Sequence, residues 1–276
     1  MGKQMVRVRR RNWDTDFVRD LTSGNGFLIT EPATFQFDDK KEKSLYGPRS
    51  ILYGTSYEDE TAFIERCRCE CGTFRGLLFK GEICPVCGKE VKERDINIEY
   101  TGWISLGKDK IINPFYYNKL QSCFGKISGR DALNDIITPK RRVDVDGHAY
   151  LAKPEEIDEH SKNPFLGIGV DEFRKRFYEI VGWFKEKKKN KGPELDRILQ
   201  ETHSVFTSHL PVYSTFLRPS SITADTFYFN SIDKQINPIY ALSEKLPSAE
   251  PIDKTVILYN IQRRENKLWD ENFSLD

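Results

Sequence analysis

The sequence predicts an α+β fold, because it combines helical periodicity, short strands and a cysteine-rich ribbon. Apolar residues recur at helical spacing from Val170 to Lys189. β-Branched residues alternate with polar ones from Ile96 to Ile112, which is typical of strands. Residues 231–276 have the pattern of two helices joined by a proline-containing turn, which predicts a C-terminal helical hairpin or coiled coil.

The composition and the distribution of apolar residues argue against a membrane-spanning or secreted protein. The chain has 38% apolar and 31% charged residues in 276 positions, which is typical of a water-exposed protein with a substantial core. No stretch approaches the apolar length of a membrane span, and the basic N-terminus lacks the apolar core of a signal peptide. We therefore expect a cytoplasmic protein that does not contact membranes.

Positive charge is local rather than global. The net charge is +1, so bulk charge does not favour nucleic acid as a partner. Three basic clusters stand out, at Arg7–Arg11, Lys140–Arg142 and Lys185–Lys191. Each cluster could neutralise phosphates, but such runs are more often solvated surface or loop tips.

Further helices are predicted from the periodicity of apolar residues, and their ends are predicted from glycine and proline residues that interrupt a helix. Lys191-Gly192-Pro193 ends the helix that begins at Val170, and Pro238 should kink or shorten the first arm of the hairpin. The other predicted helices are Tyr116–Phe124, Asp131–Ile137, Glu194–Phe206, Ser231–Leu246 and Asp253–Asn272, with a turn at Pro247–Pro251.

The cysteine spacing is the strongest chemical signal. The first pair lies in Cys69-Glu70-Cys71-Gly72, and the second lies in Cys84-Pro85-Val86-Cys87-Gly88. Twelve residues, Gly72 included, separate Cys71 from Cys84. A glycine after each pair lets the backbone fold back so that its amides point at the sulfurs. Four thiolates suit tetrahedral Zn²⁺ and leave no open position for water, so the spacing predicts one structural zinc ion bound by Cys69, Cys71, Cys84 and Cys87.

Two other cysteines need an interpretation. Cys67 could replace Cys69 in a pairing with Cys71, although we favour Cys69 and treat Cys67 as spare. Cys123 stands alone in the sequence, and we interpret it as a small buried apolar residue. The four histidines are scattered and predict no metal site.

Other segments lie in order around the two cysteine pairs. Leu45–Gly54 precedes the C-x-C-G pair. The segments after the C-x-x-C-G pair are Glu90-Val91, Gly102–Leu106, Pro114–Tyr117 with Leu120, Leu210–Val212 and Leu217–Pro219. Together they resemble the N-terminal part of the β′ subunit of bacterial multisubunit DNA-directed RNA polymerase. The resemblance covers nearly the whole chain; its zinc motif is specific, and the other segments are persuasive only together.

The resemblance implies an irregular clamp module of several parts. It implies an N-terminal clamp segment at 1–58, a zinc-binding ribbon at 59–105, a clamp head with helices at 106–219, a lid-like loop at 220–230 and the clamp-helix hairpin at 231–276. A clamp of this family closes over double-stranded DNA and the RNA–DNA hybrid, and its lid separates RNA from template. Its partners would be β-like chains, the remaining part of β′ and a σ-like promoter-specificity factor docked on the hairpin.

Site residues follow from that resemblance and from the basic clusters. The expected nucleic-acid contacts are Arg141, Arg142, Arg218, Phe227 and Tyr228. Core packing is an equally good interpretation of the two aromatic residues. The expected partner contacts on the hairpin are Lys234, Arg263 and Arg264, although the first arm lacks the arginine-rich character of the family.

The chain itself is expected to carry no catalytic residue. Asp144-Val145-Asp146-Gly147 is similar to the loop that holds catalytic Mg²⁺ in this family, but His148 stands where the family has a third aspartate. We therefore interpret the segment as an ordinary turn. Mg²⁺ is expected only on a catalytic partner chain, which makes this chain either a naturally split subunit, the interpretation that we favour and one typical of large bacteriophages, or an expressed fragment.

Two other functions remain as alternatives. A free-standing regulator could use a β′-like surface to bind a σ factor or DNA without belonging to the enzyme. An unrelated zinc-ribbon protein that binds nucleic acid would explain the cysteines but not the downstream segments. A genuine clamp should expose a large apolar surface when it is purified alone, since other subunits normally bury it.

Overall fold

The computed structural model of the chain combines many short helices with small sheets. It describes residues 11–30, 67–93, 101–214, 221–223, 226–228 and 231–272. Within these residues, no helix is both long enough and apolar enough to cross a lipid bilayer.

Ten α-helices are present in the described residues. They are α1 (Trp13–Ser23), α2 (Pro114–Phe124), α3 (Ala132–Ile137), α4 (Pro154–Ile157), α5 (Gly169–Lys175), α6 (Phe177–Lys187), α7 (Gly192–Gln200), α8 (Thr202–Val205), α9 (Ser231–Lys245) and α10 (Pro251–Asn272). Short 3₁₀ turns occur at Leu77–Phe79, Lys189–Lys191 and Leu246–Ser248.

The strands are short and form one three-stranded sheet and five two-stranded sheets within the described residues. They are β1 (Gly26–Leu28), β2 (Cys67–Arg68), β3 (Lys92–Glu93), β4 (Thr101–Ser105), β5 (Ile111–Ile112), β6 (Lys126–Ile127), β7 (Arg130–Asp131), β8 (Arg141–Val143), β9 (Ala149–Leu151), β10 (Phe206–Thr207), β11 (His209–Val212), β12 (Ser221–Thr223) and β13 (Thr226–Tyr228).

The chain divides into two compact units, and each unit is assembled from three separate stretches of sequence. The first unit contains residues 1–16, 106–208 and 246–266, and the second contains residues 17–105, 209–245 and 267–276. The five parts predicted along the sequence stay a prediction.

An aromatic cluster forms the centre of the first unit. The Phe124 and Phe184 rings stack with their centroids 3.9 Å apart, and Phe173 meets Phe177 edge to face at 5.6 Å. Phe206, from β10, packs edge to face against Phe177 at 5.1 Å. Burial of these large side chains from α2, α5, α6 and β10 supplies the main apolar driving force of this unit.

The residues at its two ends determine where helix α2 begins and ends. Asn113 is its N-cap and accepts a hydrogen bond from the Phe115 amide, while Pro114 occupies the first turn, where no amide is needed. Gly125 ends the helix with φ +59°, a conformation that costs glycine little. The predicted helix Tyr116–Phe124 is therefore confirmed, with an earlier start.

The three-stranded sheet of the second unit joins two of the segments that carry the family resemblance. Strand β4 is central, with β1 parallel on one side and β11 antiparallel on the other. Leu210 pairs with Ile104, and Pro211 pairs with Trp103. Pro211 is tolerated because β11 lies at an edge of the sheet.

Two helix predictions were wrong in their limits. The segment Val170–Lys189 forms two helices, because the backbone leaves the helical conformation at Arg176, where φ is −98° and ψ is 17°. The predicted helix Glu194–Phe206 is likewise divided, since Glu201 separates α7 from α8 and Phe206 enters strand β10.

The C-terminal segments form two helices close to the predicted limits. Helix α9 continues through Pro238, so this proline does not shorten it, and burial of Ile236 and Ile239 compensates for the missing hydrogen bond. Helix α10 begins at Pro251, earlier than predicted, with proline in the first turn. The packing of the two helices as a hairpin stays a prediction.

Candidate metal centre and nucleic-acid interface

Two tight turns position the cysteine pairs. In the first turn the Gly72 amide donates to the Cys69 carbonyl at 3.1 Å, and Gly72 has φ +77°. In the second turn the Gly88 amide donates to the Cys84 carbonyl at 2.8 Å, and Gly88 has φ +66°. A positive φ strains any residue with a Cβ, so glycine at these positions lets each turn close.

The four sulfurs converge on one point. The Sγ atoms of Cys69, Cys71, Cys84 and Cys87 all lie within 4.8 Å of one another. Cys69 and Cys71 are 3.4 Å apart, and Cys71 and Cys84 are 3.7 Å apart. A tetrahedral zinc ion with Zn–S bonds of about 2.3 Å requires sulfurs separated by about 3.8 Å. The group therefore fits a tetrahedral metal ion such as zinc.

Hydrogen bonds from nearby groups stabilise negative charge on two of these sulfurs. The Thr73 hydroxyl lies 3.1 Å from Cys71 Sγ, and this contact, together with the Thr73 backbone amide, lowers the pKa of Cys71 to about 6. Burial would raise the pKa of Cys69, but the Phe74 amide donates to its sulfur at 3.3 Å and the net pKa is lowered. Thiolates are the form that binds a metal.

Cys84 differs, because burial raises its pKa above the ordinary thiol value. The Cys87 and Val86 amides donate to this sulfur and oppose the effect of burial. These two amides, with those of Thr73 and Phe74, give the arrangement of backbone donors expected from a glycine-terminated turn. Thr73, which hydrogen-bonds to the Cys71 sulfur, was not predicted as a site residue from the sequence, where only cysteines were considered. Its position two residues after Cys71 is the signal that could have identified it.

The other two cysteines lie outside the four-sulfur group. Cys67 is fully buried on strand β2 and packs with Cys69, Cys84 and Val91 in the core of the lobe. The converging group therefore contains Cys69 rather than Cys67. Cys123 lies in the first unit, where burial and a contact with Glu194 at 3.3 Å raise its pKa to about 11.

The segment Asp144–His148 is the turn that joins strands β8 and β9. The Asp144 carboxylate accepts hydrogen bonds from the Asp146 amide at 3.0 Å and from the His148 amide at 2.8 Å. Asp144, Asp146 and His148 cluster closely enough to contact one cation, but all three are exposed. The Asx-turn geometry agrees with the interpretation of an ordinary turn.

The predicted nucleic-acid residues of strand β8 make contacts within the protein. Arg141 forms an ion pair with Asp253 at 3.1 Å, and both side chains are about half exposed. Arg142 donates to the Glu156 carbonyl. Both arginines are exposed and could reach phosphate after exchanging these partners.

The described residues of the segment predicted to be a lid form two short strands. Strands β12 and β13 are antiparallel, and Phe227 pairs with Ile222 while Tyr228 pairs with Ser221. The side chains of Phe227 and Tyr228, and the whole of Arg218, lie outside the described residues. Their contact with nucleic acid stays a prediction.

The predicted partner residues lie on the two C-terminal helices. Lys234 on α9 and Arg263 on α10 are exposed, and Arg264 is half-buried. The structure therefore leaves Lys234 and Arg263 accessible, while their role in binding stays a prediction.

The fold and the cysteine group define a mixed helix-and-strand protein with a small four-cysteine lobe. No family model matches the chain. Over 121 residues it is 31% identical to the RNA polymerase β′ subunit of Amoebophilus asiaticus, a match that covers 42% of this chain and 8% of that subunit. The corresponding subunit of Natranaerobius thermophilus is 24% identical over 195 residues, which cover 66% of this chain and 16% of the relative.

A third β′ subunit, from Levilactobacillus brevis, is 28% identical over 152 residues, which cover 49% of this chain and 12% of the relative. The chain is thus similar to bacterial β′ subunits over part of its length. It spans 16% or less of each of these relatives.

Proposed function

We propose that this chain acts as the N-terminal, clamp-forming part of a β′-like subunit in a DNA-directed RNA polymerase. The observation that carries the proposal is the joint occurrence of sequence similarity to three bacterial β′ subunits and a convergent four-cysteine group. An unrelated zinc ribbon would account for the cysteines alone. The similarity to β′ extends over as much as 66% of the chain.

The four cysteines act as ligands of one structural zinc ion in this proposal. Four protein ligands complete a tetrahedral shell, so the ion holds the lobe together and does not activate water. Among the described residues of the lobe, Cys67, Cys69, Cys84 and Val91 form a buried core, and Phe74 and Cys87 pack against it partly buried. Because so small a core supplies little apolar stabilisation, metal binding would provide much of the folding free energy.

The proposed clamp contacts nucleic acid chiefly through phosphates. Arg141 and Arg142 lie exposed on one short strand, where they can exchange weak surface pairings for phosphate contacts. The β12–β13 hairpin is the proposed lid, with Phe227 or Tyr228 stacking on a base. Lys234, Arg263 and Arg264 are the proposed contacts with a σ-like factor.

Nucleotide addition would require aspartates that lie outside these 276 residues. The Asp144 loop lacks a third aspartate and forms an exposed turn, so it is not proposed as a magnesium site for catalysis. In this proposal the chain works with other polymerase chains, in a bacteriophage-type split enzyme located in the cytoplasm of the host cell.

Affinity purification tests this function. The tagged chain is isolated gently from the cells in which it is naturally made, and the retained proteins are identified by mass spectrometry. We expect other polymerase-like chains, one of which carries the complete aspartate loop. Recovery of the chain alone, or bound only to a σ factor, would contradict the proposal and favour a free-standing regulator.

A further inference from the structure

The four cysteines of the candidate metal centre differ in their access to solvent. Cys69 is 1% exposed and Cys84 is fully buried, and both belong to the small buried core of the lobe. Cys87 is half-buried and packs against that core. Cys71 is exposed and lies outside the core. One cysteine of the four is therefore open to a reagent in solution.

The contacts of the first cysteine pair account for this difference. The Phe74 amide donates to Cys69 Sγ at 3.3 Å, and the Phe74 side chain packs against the core that contains Cys69. The Phe74 ring in turn contacts the Phe79 ring, with the centroids 4.6 Å apart. Cys71 Sγ instead contacts the hydroxyl of Thr73 at 3.1 Å, and Thr73 is itself exposed. The sulfur of Cys71 therefore lies at the surface of the lobe.

Two other sulfurs lie close to that of Cys71. Cys69 Sγ is 3.4 Å away and Cys84 Sγ is 3.7 Å away. An S–S bond is about 2 Å long, so either sulfur needs to move by less than about 2 Å to form a disulfide with Cys71. An accessible thiolate with a second thiolate beside it is the arrangement of cysteines that respond to oxidants.

We propose that Cys71 is a site of oxidation by hydrogen peroxide and that this oxidation opens the zinc lobe. The reaction rests on the zinc assignment proposed above and not on the chain being a polymerase subunit. The Cys71 thiolate attacks one peroxide oxygen, so an S–O bond forms, the O–O bond breaks and hydroxide leaves. The thiolate of Cys69 or Cys84 then attacks the Cys71 sulfur, which forms the disulfide and expels a second hydroxide. Both hydroxides take up a proton, so one peroxide oxidises two thiolates and yields two water molecules.

The disulfide removes half of the ligand set. Two thiolates do not complete a tetrahedral shell, and the buried core of the lobe is small, so the lobe releases the ion and loses its fixed structure. Reduction of the disulfide by a thiol such as dithiothreitol restores both thiolates, and the lobe then binds zinc again. The fold of the lobe thus depends on the balance between oxidant and reductant around the protein.

Zinc release from the purified full chain tests the proposal. Elemental analysis first measures the zinc content, and a colorimetric chelator then reports the metal released as hydrogen peroxide is added. We expect release of about one zinc ion and loss of about two free thiols per chain, with rebinding of zinc after dithiothreitol. A chain purified without zinc would contradict the zinc assignment. A chain that holds zinc but keeps it while Cys123 is oxidised would contradict the oxidation proposal.

Alkylation of the remaining thiols, followed by mass spectrometry, identifies the cysteines that are oxidised first. The first disulfide should join Cys71 to Cys69 or Cys84. Cys123, which is fully buried in the other unit, is the internal reference and should remain a thiol. A first disulfide that lacks Cys71 would overturn the proposal.

Two histidine substitutions separate oxidation from metal binding, because imidazole can replace a thiolate as a zinc ligand but offers no sulfur. Cys71→His should release zinc at least about tenfold more slowly in peroxide than Cys87→His, which makes the same ligand change but keeps Cys71. Cys67→Ser and Cys123→Ser are the controls outside the ligand set and should release zinc at the rate of the unaltered chain. Equal release from the two histidine variants would overturn the proposal. If either variant fails to bind zinc, the alkylation map of the unaltered chain decides the question.

Discussion

The Sγ atoms of Cys71 and Cys84 lie 3.7 Å apart, although thirteen positions separate the two residues in the sequence. Two thiols from different turns approach this closely, and two more join them within 4.8 Å. Thiolates at such distances repel one another, so a cation between them removes a large electrostatic cost. The geometry of the lobe is therefore best explained by metal binding.

The zinc assignment predicts about one zinc ion per chain, measured by elemental analysis of the purified protein. Cys84→Ser should release the metal and make the lobe susceptible to proteolysis, because metal binding and folding are coupled. Cys123→Ser is the matched control, since Cys123 lies in the other unit and should not affect zinc content. Cys67→Ser should retain zinc; its loss would identify Cys67 as a ligand. A folded, zinc-free preparation of the unaltered chain would contradict the assignment.

Replacing the buried Gln262 is expected to lower the free energy of unfolding of the first unit. Its fully buried side chain accepts from the Ile112 amide at 2.6 Å and donates to the Ile112 carbonyl at 3.0 Å. Gln262→Leu would leave both backbone groups buried without these partners, so we expect a loss of about 3 kcal/mol in the free energy of unfolding. Urea denaturation measures this, with the exposed Gln200→Leu as control. Equal losses in both variants would contradict the assigned role of Gln262.

The ion pairs of Asp171 predict that the free energy of unfolding depends on pH. Burial would raise the pKa of this carboxyl, but hydrogen bonds and ion pairs with Lys175 and Arg174 outweigh burial and lower it. A lowered pKa contributes stability that is complete above the unfolded value of 3.8 and is lost as the pH falls through the folded pKa. Asp171→Asn should therefore destabilise the protein by about 0.5–1 kcal/mol at pH 7.

The measurement for Asp171 is the difference in urea midpoint between the variant and the unaltered chain, followed from pH 7 to pH 3. The difference should begin to shrink as the pH falls below 3.8, because the unfolded state then binds a proton that the folded state, with its lowered pKa, takes up only at lower pH. Glu159→Gln, which removes an exposed carboxylate in a turn, is the control and should show no such trend. A constant difference for Asp171→Asn across this range would rule out the ion pairs as its cause.

The cysteine site could be predicted from sequence because its determinants are local. Each pair and its glycine occupy a few consecutive positions, and the turn geometry requires little from the rest of the chain. The break at Arg176 could not be predicted in this way. Phe173 and Phe177 continue the helical spacing across it, so periodicity alone indicates one helix.

Contacts outside the helix accompany that break, and a long-range contact gives Gln262 its importance. The Arg176 guanidinium lies 4.9 Å from the ring centre of Phe165, eleven positions earlier in the sequence, and it pairs with Glu179 at 2.8 Å. Gln262 binds a residue 150 positions away, and nothing local distinguishes it from a surface glutamine. Long-range packing of this kind decides where elements end, and a single sequence does not encode it as a recognisable pattern.

The central claim is that the chain works within a DNA-directed RNA polymerase, and RNA synthesis by its natural assembly tests this most directly. The complex retained by the tagged chain is supplied with template DNA, the four ribonucleotides and Mg²⁺, and incorporation of labelled nucleotide into RNA is measured. The account predicts DNA-dependent synthesis that is lost when the complex is purified through Cys84→Ser and retained with Cys123→Ser. A retained complex that makes no RNA, or equal activity with both variants, would contradict it.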